Sequence, residues 1–201
     1  INEKSIILPL GNVKITRKIN SLLIILRMNT EVKIWDQTKK RLFEQPKIEY
    51  SIRSINSLIK SIKFCENKYP NLKIKTIIIE DRSTKKNLDL IKKLTQKGNI
   101  DIVSLNHEKY KPLIKEQKSE DTFSNLASLM KSFETGKNQS EDLVFFVEDD
   151  YIHFETMLEE MIASYERIAS QIKKDIFICP SDYPYLYMNN EKTNILIGNK
   201  R

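Results

Sequence analysis

Residues 142–151 constrain the fold most strongly, because a short apolar segment ends there in three consecutive carboxylates. Leu143–Val147 is rich in β-branched and aromatic residues, which predicts a β-strand covered on both faces. Side chains alternate along a strand, so Glu148 and Asp150 are expected on one side and Asp149 on the other. Two unpartnered carboxylates about 5 Å apart repel by roughly 3 kcal/mol at an effective dielectric of about 20. A proton, an arginine or a divalent cation would relieve this repulsion.

Two roles fit this acidic segment equally well. A hard cation such as Mg²⁺ is commonly held by one or two carboxylates together with the phosphates of a bound substrate. Acidic residues before a helix also cap its N-terminus and complement its dipole, and the segment after Tyr151 has a helical pattern. The segment alone leaves both interpretations open.

The rest of the chain alternates strand and helix patterns, which predicts an α/β domain with a mostly parallel central sheet and helices on both faces. Strand patterns occur at Leu22–Leu26, Ile74–Ile79, Ile100–Leu105 and Asp175–Cys179. Amphipathic helices are expected from Tyr50 to about Cys65, through Leu88 and Leu94, from Phe123 to about Gly136, and from Met157 to Ile172. Residues 106–120 are polar and are expected to form a mobile loop.

Length and composition favour one soluble domain. The 201 residues suffice for a single core, and we expect residues 1–201 to be one domain cut from a longer chain. The net charge of +7 comes from scattered lysines. There is neither the basic face nor the reading motif of a nucleic-acid binder, so no nucleic-acid partner is predicted. No apolar run has the length of a membrane span. We expect a cytoplasmic location, compatible with peripheral attachment to a membrane.

Charged residues follow three of the predicted strands at their carboxyl ends. Arg27 follows the first strand, Glu80 and Asp81 follow the second, and residues 148–150 follow the strand at Leu143–Val147. Each has a simpler explanation, since Arg27 can be solvated and an acid pair can start a turn. Open parallel sheets bind ligands beyond the carboxyl ends of their strands. The three strand ends together therefore predict a binding site at this edge.

The order of these motifs resembles that of the nucleotide-diphospho-sugar glycosyltransferases with the GT-A fold, especially the large family-2-like group. The resemblance covers about residues 22–187 and rests on three segments, at 23–30, 77–84 and 145–150. Arg82 stands where the family often has a glycine. The helix near Asn125 lacks the arginine or lysine that several members place near the diphosphate.

The resemblance implies a metal-dependent glycosyltransferase. Such an enzyme moves a sugar from a nucleotide-diphosphate donor, with a UDP-sugar favoured, to a hydroxyl of a carbohydrate or another acceptor. Asp150 matches the last acid of the family's Asp-x-Asp element and would bind Mn²⁺ or Mg²⁺ on the diphosphate. Glu148 would assist as a metal ligand, and Asp149 would assist beside the donor.

The same resemblance implies which residues surround the nucleotide. Asp81 would contact the base and ribose, and Glu80 and Arg27 would lie close to it. Inverting transfer also needs a general base that reaches the acceptor hydroxyl. Asp182, in the loop after the last predicted strand, is the only nearby carboxylate that we nominate, and a plain turn residue is the alternative.

Two other functions stay open. A sugar-1-phosphate nucleotidyltransferase would share the sheet and the metal, but it needs a glycine-rich phosphate loop after the first strand, and residues 27–46 contain no glycine. A non-catalytic domain of the same fold would bind a nucleotide or a sugar without turnover, because a fold does not guarantee chemistry.

Overall fold

The computed structural model describes residues 8, 11–32, 45–96, 98–115 and 119–180. The fold is α/β and of the Rossmann-like type, as the sequence predicts. The chain divides into two compact units, one of residues 20–155 and one of residues 1–19 with 156–201. Within the described ranges, no helix has both the length and the apolar character needed to cross a lipid bilayer.

A four-stranded, fully parallel sheet forms the centre of the larger unit. Its strands are β1 Ser21–Met28, β2 Lys73–Glu80, β3 Ile100–Ser104 and β4 Leu143–Glu148. Their order across the sheet is β3-β2-β1-β4. The chain therefore steps outward from β1 to β3 and then returns to the far side of β1. In doubly wound sheets, ligands bind outside the carboxyl ends of the strands at this reversal, which here lies between β1 and β4.

The inner strands hold the core because both of their faces are covered. Ile24, Ile25 and Leu26 of β1 are completely buried, as expected for the continuous apolar run of an inner parallel strand. β4 is an edge strand of the described sheet and is mostly half-buried, with 42% of Phe146 exposed. The prediction that this strand is covered on both faces is therefore wrong.

Helices lie on both faces of the sheet. In the larger unit they are α1 Lys47–Lys68, α2 Lys85–Thr95, α3 His107–Tyr110 and α4 Glu120–Gln139. α1 and α2 lie side by side, and α1 lines a depression together with Ile74 of β2. On the opposite face, Gly136 of α4 approaches β4 so closely that a Cβ atom would lie 3.2 Å from the Phe146 ring. This close contact explains why α4 has a glycine at position 136. The helix was predicted to end near Gly136 but continues to Gln139.

The segment 106–120, predicted to be a mobile loop, contains α3 and contributes to the core where it is described. Tyr110 is 2% exposed, and its hydroxyl donates to a Glu134 carboxylate oxygen at 2.8 Å. Tyr110 and Ile114 also pack with Phe123 of α4. Tyr110 and Ile114 are thus part of the core although the segment is mostly polar, and the prediction of a mobile loop is wrong for these two residues.

The smaller unit is built on one helix, α5 Met157–Ile172. The buried hydroxyl of Ser170 accepts hydrogen bonds from the backbone N–H groups of Thr16 and Arg17, each at 2.9 Å. Thr16 and Arg17 are therefore fixed to the last turn of α5.

Residues 175–179, predicted to be a strand, do not form one. Phe177 is fully exposed, and the Asp175 carboxylate accepts hydrogen bonds from the Tyr165 hydroxyl at 2.5 Å and the Arg17 guanidinium at 3.0 Å. No strand of the described part of the chain pairs with this segment. The apolar pattern alone was not sufficient to predict a strand.

Candidate functional site

Arg27 and Glu148 meet where the strand order reverses. They are register partners on β1 and β4, and Nη2 of the guanidinium donates to Oε1 of Glu148. The other terminal nitrogen, Nη1, donates to the Asn125 side-chain oxygen at 2.8 Å and is 3.3 Å from the Ser128 hydroxyl, both in α4. The predicted arginine therefore lies at this edge, held by acceptors of the protein, and it neutralises Glu148.

Asp149 contacts α1, on the face of the sheet opposite Glu148, as strand alternation predicts. It is 6% exposed. Its Oδ1 lies 2.8 Å from Nζ of Lys47, and its Oδ2 accepts a hydrogen bond from the Ser51 hydroxyl at 2.5 Å. A lysine in the first turn of a helix is unfavourable beside the helix dipole, and Asp149 offsets that charge. Asp149 therefore joins the end of β4 to the start of α1.

The charges of this cluster influence one another. Burial raises the pKa of Asp149, and the nearby Lys47 ammonium opposes that shift. Burial lowers the pKa of Arg27, and the negative charges of Asp149 and Asp150 oppose it. Each of the two groups thus has an opposite charge close by that partly offsets the effect of its burial.

Asp150 is different, because it is exposed in the turn after β4. Within the described ranges it forms no ion pair, whereas Glu148 is bound to Arg27. Glu148 nevertheless keeps 45% of its side chain exposed. Asp150 and Glu148 therefore carry the carboxylate oxygens of the acidic segment that a ligand can reach.

Asp150 and Glu148 fit a metal site that a substrate completes, and not a site made only of protein ligands. In the described ranges, no three His, Cys, Asp or Glu side chains are grouped so that they could hold a metal ion. A cage made only of protein ligands is therefore not present there. One or two carboxylates suffice for Mg²⁺ when substrate phosphates and water complete its shell. Asp150 and Glu148 fit that second arrangement.

Glu80, at the end of β2, is buried and hydrogen-bonded to the protein. One of its oxygens accepts from the backbone N–H of Ser83 at 2.6 Å, and the other accepts from the Ser104 hydroxyl at 3.1 Å. These bonds close the turn after β2 and join it to β3. The simpler explanation of Glu80, a turn residue, accounts for both of its oxygens.

Asp81 is the centre of a polar cluster built by several segments. It is 4% exposed. Its Oδ1 lies 2.6 Å from Nε2 of His107 in α3, and its Oδ2 accepts from the Ser124 hydroxyl of α4 and lies 3.4 Å from the Asn29 amide after β1. The carboxylate therefore organises the carboxyl edge of the sheet.

Arg82 adopts a backbone conformation that favours glycine, with φ of 57°. A side chain in this left-handed region costs about 1 to 2 kcal/mol. Its guanidinium pairs with Glu120 at 3.1 Å and with Asp121 at 2.8 Å, both in the first turn of α4. Arg82 thus adopts a conformation that glycine takes more readily, and its side chain links β2 to α4.

We expect Asp81→Ala to lower the free energy of unfolding by about 2 to 3 kcal/mol. The substitution removes the acceptor of the buried Ser124 hydroxyl and leaves His107 without its carboxylate, and each unpaired buried group costs about 1 to 3 kcal/mol. Urea unfolding measures the loss. Asp89→Ala, at an exposed carboxylate of α2, is the control and should change stability by less than about 0.5 kcal/mol. Equal stability of both variants would show that the Asp81 contacts contribute nothing.

Sequence reasoning missed three residues of this edge: Lys47, His107 and Ser124. His107 had a usable signal, because it is one of two histidines in the chain and follows β3 by three residues. Lys47 had a weaker one, a basic residue where a helix start favours acids. Asp182, the predicted general base, lies outside the described residues.

Comparison of the chain with protein-family models, with curated proteins and with solved structures gives no significant match. The residues of the site are therefore the basis for proposing a function.

Proposed function

We propose that this chain is a metal-dependent glycosyltransferase that transfers a sugar from a nucleotide-diphosphate donor to a hydroxyl acceptor. One observation carries the proposal: the exposed carboxylate of Asp150 lies beside the Arg27–Glu148 pair, at the reversal of a β3-β2-β1-β4 parallel sheet. Sheets of this kind bind their ligands there. The acidic segment that resembles the Asp-x-Asp element thus ends in a residue that solvent reaches.

In this proposal the acids of the segment have separate roles. Asp150, with Glu148 beside it, would hold Mn²⁺ or Mg²⁺ against the diphosphate. When bound, the metal acts as a Lewis acid that stabilises the leaving diphosphate. Asp149 stays paired with Lys47 and positions the turn that carries Asp150.

Arg27 supplies a positive charge next to α4. The resemblance leads us to expect an arginine or lysine on the helix near Asn125. In this chain the Arg27 guanidinium of β1 lies 2.8 Å from the side-chain oxygen of Asn125. A cation at this place is suited to the charge of a diphosphate. Arg27 of β1 would thus supply the positive charge that the helix near Asn125 lacks.

A thermal-shift panel of nucleoside diphosphates, each with and without Mn²⁺, tests the proposal. A ligand present at about 100 times its dissociation constant stabilises the folded state by roughly 2.7 kcal/mol. We expect uridine diphosphate, or guanosine diphosphate, to raise the melting temperature when Mn²⁺ is present. A panel without any metal-dependent shift would contradict the proposal.

A second candidate is a binding domain that has no catalytic activity. It is favoured by one observation, that the protein's own Arg27 and Lys47 neutralise Glu148 and Asp149, which leaves fewer charges for a metal. Such a domain would bind a nucleotide or nucleotide sugar without releasing product. Its nucleotide binding would depend little on metal, so the same thermal-shift panel separates the two candidates.

A further inference from the structure

The positive charge of the larger unit is concentrated on one face of the sheet. α1 and α2 together carry nine Lys or Arg and only three Asp or Glu. α4, on the opposite face, carries two Lys and three Asp or Glu. The α1–α2 layer therefore carries a net positive charge, whereas α4 does not.

Seven lysines of this layer are exposed and are here called the lysine face. They are Lys60, Lys63, Lys68, Lys85, Lys86, Lys92 and Lys93. None of them pairs with a carboxylate of the described part of the chain. By contrast, the ammonium groups of Lys47, at the start of α1, and of Lys109, in α3, both contact carboxylates. The charge of the lysine face is therefore directed to solvent.

The chemistry of this face suits an anionic lipid surface better than a nucleic acid. Apart from Arg53, the exposed cations of α1 and α2 are lysines, which act as point charges, whereas phosphate and base recognition in nucleic acids relies heavily on the planar fork of arginine. Stacking on bases needs exposed aromatic rings, but Tyr50 and Phe64 of α1 are half-buried and α2 has no aromatic residue.

One exposed aliphatic side chain lies among the lysines. Leu90 of α2 is 42% exposed, and it is one helical turn from both Lys86 and Lys93. Helices that lie on membranes combine basic side chains with apolar ones that enter the boundary between headgroups and acyl chains. Leu90 provides such a contact beside Lys86 and Lys93.

We propose that the lysine face attaches this protein peripherally to membranes that contain anionic phospholipids. Lysines near a negatively charged leaflet bind it through its surface potential, which falls off within a Debye length. The face lies over the sheet, and the candidate site lies at the carboxyl edge of the same sheet. Attachment through the face therefore leaves the candidate site open to its ligands. The proposal does not depend on the glycosyltransferase assignment.

Co-sedimentation with vesicles of phosphatidylcholine, with and without phosphatidylserine, tests the proposal. We expect binding only to vesicles with phosphatidylserine, and weaker binding as salt is raised. Replacing the four lysines of α2, Lys85, Lys86, Lys92 and Lys93, by Gln should lower the partition coefficient by at least about tenfold. Leu90→Asn, which leaves the net charge unchanged, should lower it about threefold or more.

The matched control changes the same amount of charge elsewhere. Lys14, Lys18, Lys137 and Lys174 are exposed and lie outside α1 and α2. Their joint replacement by Gln should leave most of the binding intact. Equal losses in both fourfold variants would overturn the proposal, because net charge and not the face would then be responsible. Absence of binding to phosphatidylserine vesicles, or binding of duplex DNA in its place, would overturn it too.

Discussion

Lys47→Met should lower the free energy of unfolding by about 3 to 5 kcal/mol at neutral pH, the range for breaking a buried ion pair by removing one partner. The side chains of Lys47 and Asp149 are only 10% and 8% exposed, and their charged atoms are 2.8 Å apart. Without Lys47, the Asp149 carboxylate is left buried with the Ser51 hydroxyl as its remaining side-chain donor. Urea unfolding at pH 7 measures the loss.

Lys60→Met is the matched control, because Lys60 is exposed on the same helix, and it should change stability by less than about 0.5 kcal/mol. The double variant Lys47→Met/Asp149→Leu should recover most of the loss, since it removes both charges. A loss below about 1 kcal/mol for Lys47→Met would show that the pair does not hold β4 to α1.

The loss should also depend on pH. Burial raises the pKa of Asp149, and Lys47 opposes that shift. A carboxyl whose folded-state pKa is raised contributes its full stability below the unfolded value, about 3.9 for Asp, and loses it as the pH rises through the folded pKa. Removing Lys47 raises the folded pKa further. The difference between wild type and Lys47→Met should therefore be smaller at pH 4 than at pH 7.

Asp150→Asn should abolish most of the metal enhancement of nucleotide binding. The proposed role of Asp150 is to bind the metal on the diphosphate, and its amide counterpart keeps the shape but not the charge. We expect the dissociation constant of uridine diphosphate with Mn²⁺ to rise at least tenfold, equivalent to about 1.4 kcal/mol. The variant should be no less stable than wild type without metal, because Asp150 is exposed beside other acids. Calorimetric titration with and without Mn²⁺ measures the effect.

Glu66→Gln is the control for this titration. Glu66 is an exposed carboxylate, and it lies near Ile74 and Ile100 at the amino ends of their strands, far from the carboxyl edge. Its metal enhancement should equal that of wild type. An equal enhancement in Asp150→Asn would remove Asp150 from the metal site, and a helix-capping role would then be sufficient, because Asn caps a helix about as well as Asp.

Local patterns predicted the sheet because its inner strands contain continuous apolar runs. Leu22–Leu26 and Ile77–Ile79 lie within β1 and β2, and burial on both faces favours such runs. At Leu143–Val147 the same pattern predicted the strand, but Phe145 and Phe146 do not show whether neighbouring elements cover both of its faces. At residues 175–179 the pattern predicted a strand that does not form, because a strand needs a neighbouring strand to pair with and not only an apolar composition.

The positions of the site residues were predictable, but their partners were not. Strand ends place Arg27, Asp81 and Asp149 at one edge, and the structure brings them there. The partners of Asp149 and Asp81 come from distant parts of the sequence: Lys47 is 102 residues from Asp149, and Ser124 is 43 residues from Asp81. No local pattern encodes such distant contacts. A buried carboxylate requires a partner, so only the need for one could be inferred.

Incubation of the protein with a radiolabelled UDP-sugar or GDP-sugar and Mn²⁺ tests whether it is a glycosyltransferase. We expect labelled sugar to be released by slow hydrolysis or transferred to an added hydroxyl acceptor. This release should require Mn²⁺ and should be lost in Asp150→Asn. Nucleotide binding without turnover of any donor would contradict the assignment as an enzyme and would leave a nucleotide-binding domain in its place.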